Sequence, residues 1–408
     1  MKSGLYKKDS LKIIASGGIG LSVLLVSLPS SADQFDTLNY AFSVGMVYDN
    51  NIFRLPSSVD PQTATGKSTK SDHIQSETIG INLDKKYSNQ DVQFKANVTN
   101  NKYSTFSYLN YYNTSYTAAW NWNLTTRWSG SLSDTRTQTL NSFADTQTYT
   151  RNLSTVDTRR LNADWWFAGS WHALFAVSDS KSTNSQQVIN NQSYTSKATE
   201  WGLKYVPADG RSISLISRII RGNYTNGDLN YLLLIDTEYS ESQKELNFNW
   251  LLSGKSVLSG NLVRIDHRYP TFYQRDYKGT QGGLNYFWSI SDKSSMNFSI
   301  NRTNNSWYDF ASSYYVMDTA SVSPAWQISA RTRMHILLTR SKADYRGPIL
   351  PNRVARHDNN QTEELGLDWS PQRSVVLSTA VQSAHRSTNV AAYEYDDKTV
   401  NLFLQVAF

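Results

Sequence analysis

Short segments of alternating apolar and polar residues recur along almost the whole chain after residue 40. Within residues 112–124, the even positions carry Tyr, Thr, Tyr, Ala, Trp, Trp and Leu, whereas the odd positions carry Asn, Ser, Thr, Ala, Asn and Asn. A period of two is typical of a β-strand with one apolar and one polar face. The alternation predicts eighteen strands, at 40–48, 76–86, 90–99, 113–124, 127–136, 156–168, 171–182, 196–206, 211–221, 233–250, 256–265, 281–290, 295–304, 314–326, 332–343, 361–369, 374–385 and 397–408.

The connections between these segments alternate in length. Short ones at 87–89, 169–170, 207–210, 291–294 and 370–373 separate long polar ones at 49–75, 137–155, 266–280 and 344–360. Short turns on one side and long loops on the other are typical of outer-membrane barrels. The pattern therefore predicts an all-β fold, a transmembrane antiparallel β-barrel of the outer-membrane type with short periplasmic turns and long extracellular loops. A soluble β-helix or propeller is the alternative.

Large aromatic residues collect beside the short turns, where a periplasmic girdle of an outer-membrane barrel would lie. The last predicted strand also ends the sequence on an aromatic residue and has an apolar face, which resembles the C-terminal signal read by the barrel-assembly machinery. The aromatic set is Trp122, Trp128, Phe167, Trp171, Tyr205, Trp250, Trp288, Trp326, Trp369 and Phe408.

The first residues have the composition of an export signal. Lysines precede an apolar run at 13–28, and Ser30 and Ala32 provide small residues for cleavage. We expect a cleaved signal peptide at 1–32 and a single barrel domain at 33–408. A membrane anchor is the alternative, but a spanning helix needs about 20 apolar residues. The mean hydropathy of −0.52 is too polar for a helical membrane protein, and a net charge of +6 gives no argument for nucleic acid.

Few enzyme classes remain open to this composition. The chain has no Cys, which excludes disulfides, thiolate nucleophiles and Cys-ligated metal sites. No pair among its six His has the spacing of a helical metal site, and no Gly-x-Ser-x-Gly elbow or phosphate-binding glycine loop occurs. We predict no enzyme, no catalytic residue, no cofactor and no metal. An outer-membrane hydrolase without a local signature is the alternative.

One motif resembles a known family. Residues 42–55 read Phe-Ser-Val-Gly-Met-Val-Tyr-Asp-Asn-Asn-Ile-Phe-Arg-Leu. This stretch, together with the aromatic last strand, resembles the EpsL-type outer-membrane proteins that accompany exopolysaccharide synthesis and exosortase systems. The resemblance implies a role in making or exporting an exopolysaccharide, with periplasmic export proteins as further partners.

Positions that alternate with the apolar ones are expected to line the barrel interior. Both signs of charge occur there, which suits a hydrated polymer or small solutes; the alternative is that these charges only solvate a wet lumen or pair with one another. The expected lumen-lining residues are Lys95, Arg160, Asp164, Glu200, Lys204, Arg218, Glu245, Arg333, His335 and Asp368, with Asn97 and Asn247 beside them.

Two groups of loop residues are candidates for binding. Aromatic rings beside hydrogen-bonding groups suit sugars, although an upper aromatic girdle above ordinary loops explains them as well. The candidate sugar contacts are Arg268, Tyr269, Tyr273, Arg275, Tyr277, Trp307 and Tyr308. Guanidinium groups also suit the phosphates of lipopolysaccharide, and the candidates for that role are Arg346, Arg353, Arg356 and His357.

Three functions fit these expectations. The first is a conduit or docking point for exopolysaccharide in the outer membrane of a Gram-negative bacterium. The second is a general or solute-specific diffusion porin. The third is a structural barrel with a plugged lumen, for which the loop at 49–75 is the candidate to fold inward.

Overall fold

A computed structural model describes residues 37–186, 192–208, 210–225, 234–350 and 353–408. It contains eighteen strands, each of 12 to 16 residues. They are β1 (Leu38–Asp49), β2 (Asp72–Tyr87), β3 (Gln90–Tyr103), β4 (Tyr111–Asn123), β5 (Trp128–Leu140), β6 (Leu153–Ala168), β7 (Trp171–Asn184), β8 (Tyr194–Ala208), β9 (Arg211–Tyr224), β10 (Glu238–Ser253), β11 (Ser256–Arg268), β12 (Tyr277–Ser289), β13 (Ser294–Ser306), β14 (Tyr314–Ser329), β15 (Thr332–Arg346), β16 (His357–Gln372), β17 (Val375–Thr388) and β18 (Tyr395–Ala407).

Each strand pairs antiparallel with the next one along the chain, and β1 pairs with β18 to close the sheet. At this closure the Tyr40 N–H donates to the Phe408 carbonyl at 2.7 Å, and the Phe408 N–H donates to the Tyr40 carbonyl at 2.9 Å. A closed sheet has no edge strand, so its backbone groups are satisfied even in hydrocarbon. The predicted closed antiparallel barrel is confirmed.

The outer wall carries the apolar half of the alternation. Leu215, Leu262 and Ile300, for example, have relative exposures of 62%, 55% and 57%. Large apolar residues are this exposed around a barrel when lipid covers them. The chain is thus an outer-membrane β-barrel. No helix in the described residues is long and apolar enough to cross a membrane.

All eighteen predicted segments coincide with strands, but most strands extend further at their extracellular ends. These extensions are mostly polar, and the apolar residues among them, such as Ile74 and Tyr103, face inward beneath the loops. The outward apolar face is missing there, so hydrophobic periodicity could not reveal them. One prediction began too early, because the segment 233–250 corresponds to a strand that starts at Glu238. The predicted aromatic girdle lies on the outer wall beside the short turns, where Trp171, Trp326 and Phe408 are 46%, 48% and 66% exposed.

The connections follow the predicted asymmetry. Short turns, such as 88–89 and 169–170, join the strands on the periplasmic side. The long extracellular connections are L1 (50–71), L2 (104–110), L3 (141–152), L4 (185–193), L5 (225–237), L6 (269–276), L7 (307–313), L8 (347–356) and L9 (389–394). L1 holds the short helix α1 (Pro61–Thr65). The predicted signal peptide at 1–32 lies outside the described residues, and the domain assignment stays a prediction.

Candidate functional site

The face of the wall opposite the exposed apolar residues encloses the lumen, because the extracellular loops fold against that face. Phe53 of L1, for example, belongs to a cluster with Val47, Ile74 and Tyr103, which alternate with the outward-facing residues of β1, β2 and β3. Most inner positions are small and neutral but hydrogen-bonding. On β5 and β13 they include Ser129, Ser131, Ser133, Thr135, Ser295, Asn297, Ser299 and Asn301.

A network of paired charges lies at mid-height on the inner wall of β6 to β10. The two terminal nitrogens of Arg160 each donate to one oxygen of the Glu200 carboxylate at 2.7 Å. Arg218 Nε donates to Glu200 Oε1 at 2.8 Å. Arg218 also contacts Glu245 Oε2 at 3.1 Å and donates to Gln243 Oε1 at 2.5 Å. Glu200 is only 6% exposed. A buried carboxylate needs such partners, so each arginine here already has an intramolecular counterion.

The other charges expected in the lumen form smaller groups near the periplasmic end. Asp164 accepts hydrogen bonds from Lys204 and from His172 Nδ1. On the opposite wall, His335 lies 3.6 Å from Glu364 and 3.7 Å from Asp368.

Lys95 and Arg333 form no ion pair among the described residues. Of the ten charged residues predicted to line the lumen, the structure brings together Arg160, Glu200, Arg218 and Glu245 in one network, Asp164 and Lys204 in a second group, and His335 and Asp368 in a third.

Loop L1 folds into the extracellular mouth rather than away from it. Phe53 is 1% exposed and packs edge-to-face against Phe106 of L2 and Phe143 of L3, with ring centroids at 4.7 and 4.8 Å. Asn51 fixes the turn, because its side chain accepts the Leu55 N–H at 2.9 Å and donates to the Asp396 carbonyl at 2.9 Å. The motif that resembles EpsL-type proteins therefore provides the residues that hold L1 inside the barrel.

Arg54 anchors the same loop between two buried acids. Its guanidinium lies 2.9 Å from Asp49 of β1 and 3.1 Å from Asp397 of β18, and each carboxylate side chain is 1% exposed. Burial by itself lowers the pKa of Arg54, but the two carboxylates more than reverse this and the pKa is raised above its usual value. Arg54 has a backbone φ of 57°, a value that residues with a side chain rarely adopt. These ion pairs therefore also stabilise an unfavourable backbone conformation.

Loops L2 and L6 share one design that the sequence-based interpretation missed. Both contain Thr-Phe, three residues of 3₁₀-helix, an Asn or Asp, and Tyr, at 105–111 and 271–277. Asp72 accepts the N–H groups of Thr105 and Phe106 at 2.8 and 3.0 Å. Asp236 accepts the corresponding N–H groups in L6 at 3.0 and 2.7 Å. The repeated Thr-Phe-x-x-x-(Asn/Asp)-Tyr pattern in the sequence could have revealed this shared design.

The equivalent position in the two loops carries very different residues. Leu109 of L2 lies in the apolar cluster with Phe53, whereas Arg275 of L6 is fully buried among backbone carbonyls. Arg275 donates to the carbonyls of Leu234, Trp307, Ser312 and Asp309 at 3.0, 3.3, 3.2 and 3.1 Å, which joins L5, L6 and L7. Burial lowers the pKa of this guanidinium below its usual value.

The residues expected to contact sugars are mostly interior parts of the loop layer. Tyr269, Arg275, Tyr277, Trp307 and Tyr308 are each at most 7% exposed, so they pack the loops and do not present surface to a sugar. Contacts between loops bury Tyr269, Tyr308 and Arg275, whereas Tyr277 and Trp307 pack against strand residues of the inner wall. Local sequence could not show either kind of contact. Tyr273 is 71% exposed, and Arg268 is exposed but pairs with Asp266 at 2.9 Å.

Loop L3 reaches across the mouth to the far wall. Asp145 accepts a hydrogen bond from Arg356 of L8 at 2.7 Å and one from Arg386 of β17 at 2.8 Å. Arg356 also pairs with Asp358 at 2.6 Å and lies 3.7 Å from the Tyr393 ring centre. This group, called here the L3 latch, comprises Asp145, Arg356, Arg386 and Asp358.

Of the four residues expected to bind lipopolysaccharide phosphates, one is buried and three are exposed. Arg356 is buried in the L3 latch and does not face the membrane surface. Arg346 and His357 are exposed and pair with Asp344 at 3.4 and 2.9 Å. Arg353 is exposed.

Within the described ranges, no group of three or more His, Asp or Glu side chains could hold a metal ion. The paired charges described above face inward. Among these described residues there is no arrangement of a nucleophile, a base and oxyanion donors. The site is a polar inner wall with paired charges, below a mouth narrowed by inward loops.

No protein-family model and no curated protein matches the sequence. Solved structures do match its fold. The outer membrane protein OpdK from Pseudomonas aeruginosa aligns with a TM-score of 0.51 at 10% identity, over 91% of this chain and 99% of that one. A BenF-like porin from Pseudomonas fluorescens Pf-5 gives 0.52 at 8% identity, with the same coverage. OccAB3 from Acinetobacter baumannii gives 0.50 at 9% identity, again over 91% and 99%. The shared feature is the outer-membrane barrel fold.

Proposed function

We propose that the chain is a passive outer-membrane channel for small, hydrophilic and largely uncharged solutes. The observation that carries this proposal is the inner wall of the closed barrel, which is covered by Ser, Thr and Asn and whose mid-height arginines already pair with carboxylates. Neutral hydrogen-bonding groups exchange readily with water and with hydroxylated solutes. Paired charges present little net field to a passing ion, so weak ion selectivity is expected.

Two further observations support a channel. An eighteen-stranded barrel is wide enough to enclose an aqueous lumen. Among the proteins of similar fold, one is described as a BenF-like porin. The inward loops L1, L2 and L3 narrow the mouth, which favours small solutes over large ones.

The proposal is tested by conductance of the refolded protein in planar bilayers, together with swelling of liposomes in neutral sugars of increasing size. We expect discrete conductance steps, a reversal potential near zero in a KCl gradient, and swelling rates that fall steeply with sugar size. A folded, heat-modifiable protein that neither conducts nor admits the smallest sugar would instead be a structural barrel.

An exopolysaccharide conduit is the second candidate, and the resemblance of residues 42–55 to EpsL-type proteins favours it. In that case oligosaccharides of the host's own polymer would block the conductance, and unrelated sugars of equal size would not. Conductance indifferent to the polymer supports the small-solute channel. The absence of glycosyltransferase or polymerase genes nearby would argue the same way.

A further inference from the structure

A groove of about 870 Å³ lies on the outer wall of the barrel, on the lipid side of β11 to β17. Its lower part is apolar and is formed by outward-facing side chains such as Leu262, Leu284 and Ile300. Gly282 and Ala320 also line the groove, and neither projects a bulky side chain into it. The lining of the groove shares no residue with the Arg160–Glu200–Arg218 network of the inner wall.

Basic residues border the extracellular side of this groove. On three alternate strands an outward-facing apolar residue is followed two positions later by Arg, as Leu262 and Arg264, Ile300 and Arg302, and Leu338 and Arg340. Two residues of a strand advance about 6 to 7 Å. The arginines therefore form a row just beyond the apolar band, at the depth of lipid headgroups in the extracellular leaflet. Lys342 extends the row outward on β15.

Most of this positive charge lacks a protein counterion. Arg302 pairs with Asp318 at 2.6 Å, but Arg340 and Lys342 form no ion pair among the described residues. Within the described part of the chain, Arg264 has no carboxylate partner and contacts the Thr280 hydroxyl at 3.3 Å. Two arginines at a similar height on β5 and β6 differ, because Arg136 and Arg159 pair with Asp157 and Asp134. The row comprises four cations, Arg264, Arg302, Arg340 and Lys342. Because Arg302 alone among them has a carboxylate partner in the described residues, the row carries three uncompensated positive charges.

We propose that this groove binds lipid A, the phosphorylated and multiply acylated part of lipopolysaccharide, with acyl chains in the apolar hollow and phosphates on the arginine row. Guanidinium groups pair with phosphate in a two-pronged geometry. From Arg264 on β11 to Arg340 on β15 there are four strand spacings, or roughly 19 Å. A row of that length suits a headgroup with two separated phosphates better than a single phosphodiester.

Native mass spectrometry of the purified protein in mild detergent tests the proposal with three probes: bisphosphorylated lipid A, its dephosphorylated form, and phosphatidylglycerol. We expect the protein to retain bisphosphorylated lipid A most strongly. R340A/K342A should weaken this binding about tenfold or more, because two charge-assisted contacts are lost. The matched control is K293A/R373A, which removes the same charge from periplasmic turns and should leave binding unchanged.

A second variant keeps the test independent of charge. Ala320→Trp fills the hollow from the lipid side, and it should reduce acyl-chain retention while the barrel still migrates as a heat-modifiable band. Equal binding of dephosphorylated lipid A or of phosphatidylglycerol would overturn the assignment to lipid A, as would no binding at all or equal binding by R340A/K342A. Because the groove faces lipid, the conductance of the variants should match that of the wild type.

Discussion

The carboxylate of Asp145, in the loop between β5 and β6, lies 2.8 Å from Nη1 of Arg386 on β17. Around the wall, β1 to β4 and β18 stand between these two elements. The contact therefore spans part of the mouth. Arg356 and Arg386 are 7% and 5% exposed at their side chains, and Asp145 accepts a hydrogen bond from each of them.

Asp145→Ala should open the L3 latch. Two buried guanidiniums would lose a partner, and Asp358 would remain for both, so we expect a local cost of about 1 to 3 kcal/mol. Hydrogen exchange in residues 141–152 should accelerate, and single-channel conductance should rise or become noisier. Asp292→Ala in a periplasmic turn is the control, and equal traces for both variants would contradict a closing role for the latch.

The L3 latch should be insensitive to pH in the neutral range. Burial alone raises the pKa of Asp145, but Arg386 and Arg356 outweigh it, and the pKa lies below its ordinary value of 3.8. A carboxyl with a depressed pKa contributes stability that is present above the ordinary value and is lost as the pH falls through the lower, folded value. The difference in conductance between Asp145→Ala and the wild type should be the same from pH 8 to about pH 5, given the ordinary range of carboxyl groups. An opening transition near neutral pH would refute this assignment.

Arg54→Ala should release L1 from the wall. The substitution leaves Asp49 and Asp397 buried side by side without a cation, and breaking a buried pair in this way costs about 3 to 5 kcal/mol. Limited proteolysis should then cut within 50–71 at a protease concentration that leaves the wild type intact.

The double variant R54A/D397N distinguishes charge repulsion from lost packing. Removing one of the two facing carboxylates should restore much of the protease resistance. If the double variant is cut as fast as the single one, the ion pairs do not explain how L1 is held.

Ion selectivity should respond to the Arg160–Glu200–Arg218 network in opposite directions. Arg218→Ala leaves Glu245 without its arginine and should shift the reversal potential towards cation selectivity. Glu200→Gln leaves Arg160 without a carboxylate and Arg218 with Glu245 alone, so it should shift the reversal potential towards anion selectivity. Lys293→Ala in a periplasmic turn serves as the control, and shifts of the same sign in both network variants would show that the network does not border the ion path.

Deleting Phe408 should reduce assembly in cells. Phe408 exchanges two backbone hydrogen bonds with Tyr40 at the closure of the barrel, and its ring is 66% exposed on the lipid side. We expect less heat-modifiable protein in the outer membrane, with refolding from urea into detergent affected less, because recognition by the assembly machinery is bypassed there. Equal losses in both experiments would point to stability of the closing strand alone.

The barrel wall follows from the sequence because every strand repeats one local rule. Outward positions such as Trp120, Leu132 and Leu161 must be apolar and inner ones need not be, so a period of two identifies strand and face together. The same parity gave the candidate lumen residues. Which of those residues form pairs could not be predicted, because Arg160 and Glu200 are 40 positions apart and separated by the whole of β7.

The mouth was not predictable in the same way. Tyr269, Trp307 and Arg275 look like exposed polar and aromatic loop residues when each loop is considered alone. Tyr269 and Arg275 are buried because L5, L6 and L7 pack on one another, and Trp307 is buried against Ala343 and Tyr345 of the wall. Such packing joins segments that are neighbours only after the barrel has closed. Of these features of the mouth, only the inward fold of L1 was predicted from the sequence, as part of the plugged-barrel alternative.

The loop layer contains two separate apolar clusters with the same Thr-Phe loop design beneath each, one joining L1, L2 and L3 and the other joining L5, L6 and L7. The clusters share no residue. Substitutions in different clusters should therefore combine additively. A mouth built this way is modular: natural variation or a protein engineer can remodel one side while the other side, and the wall below both, keeps its shape.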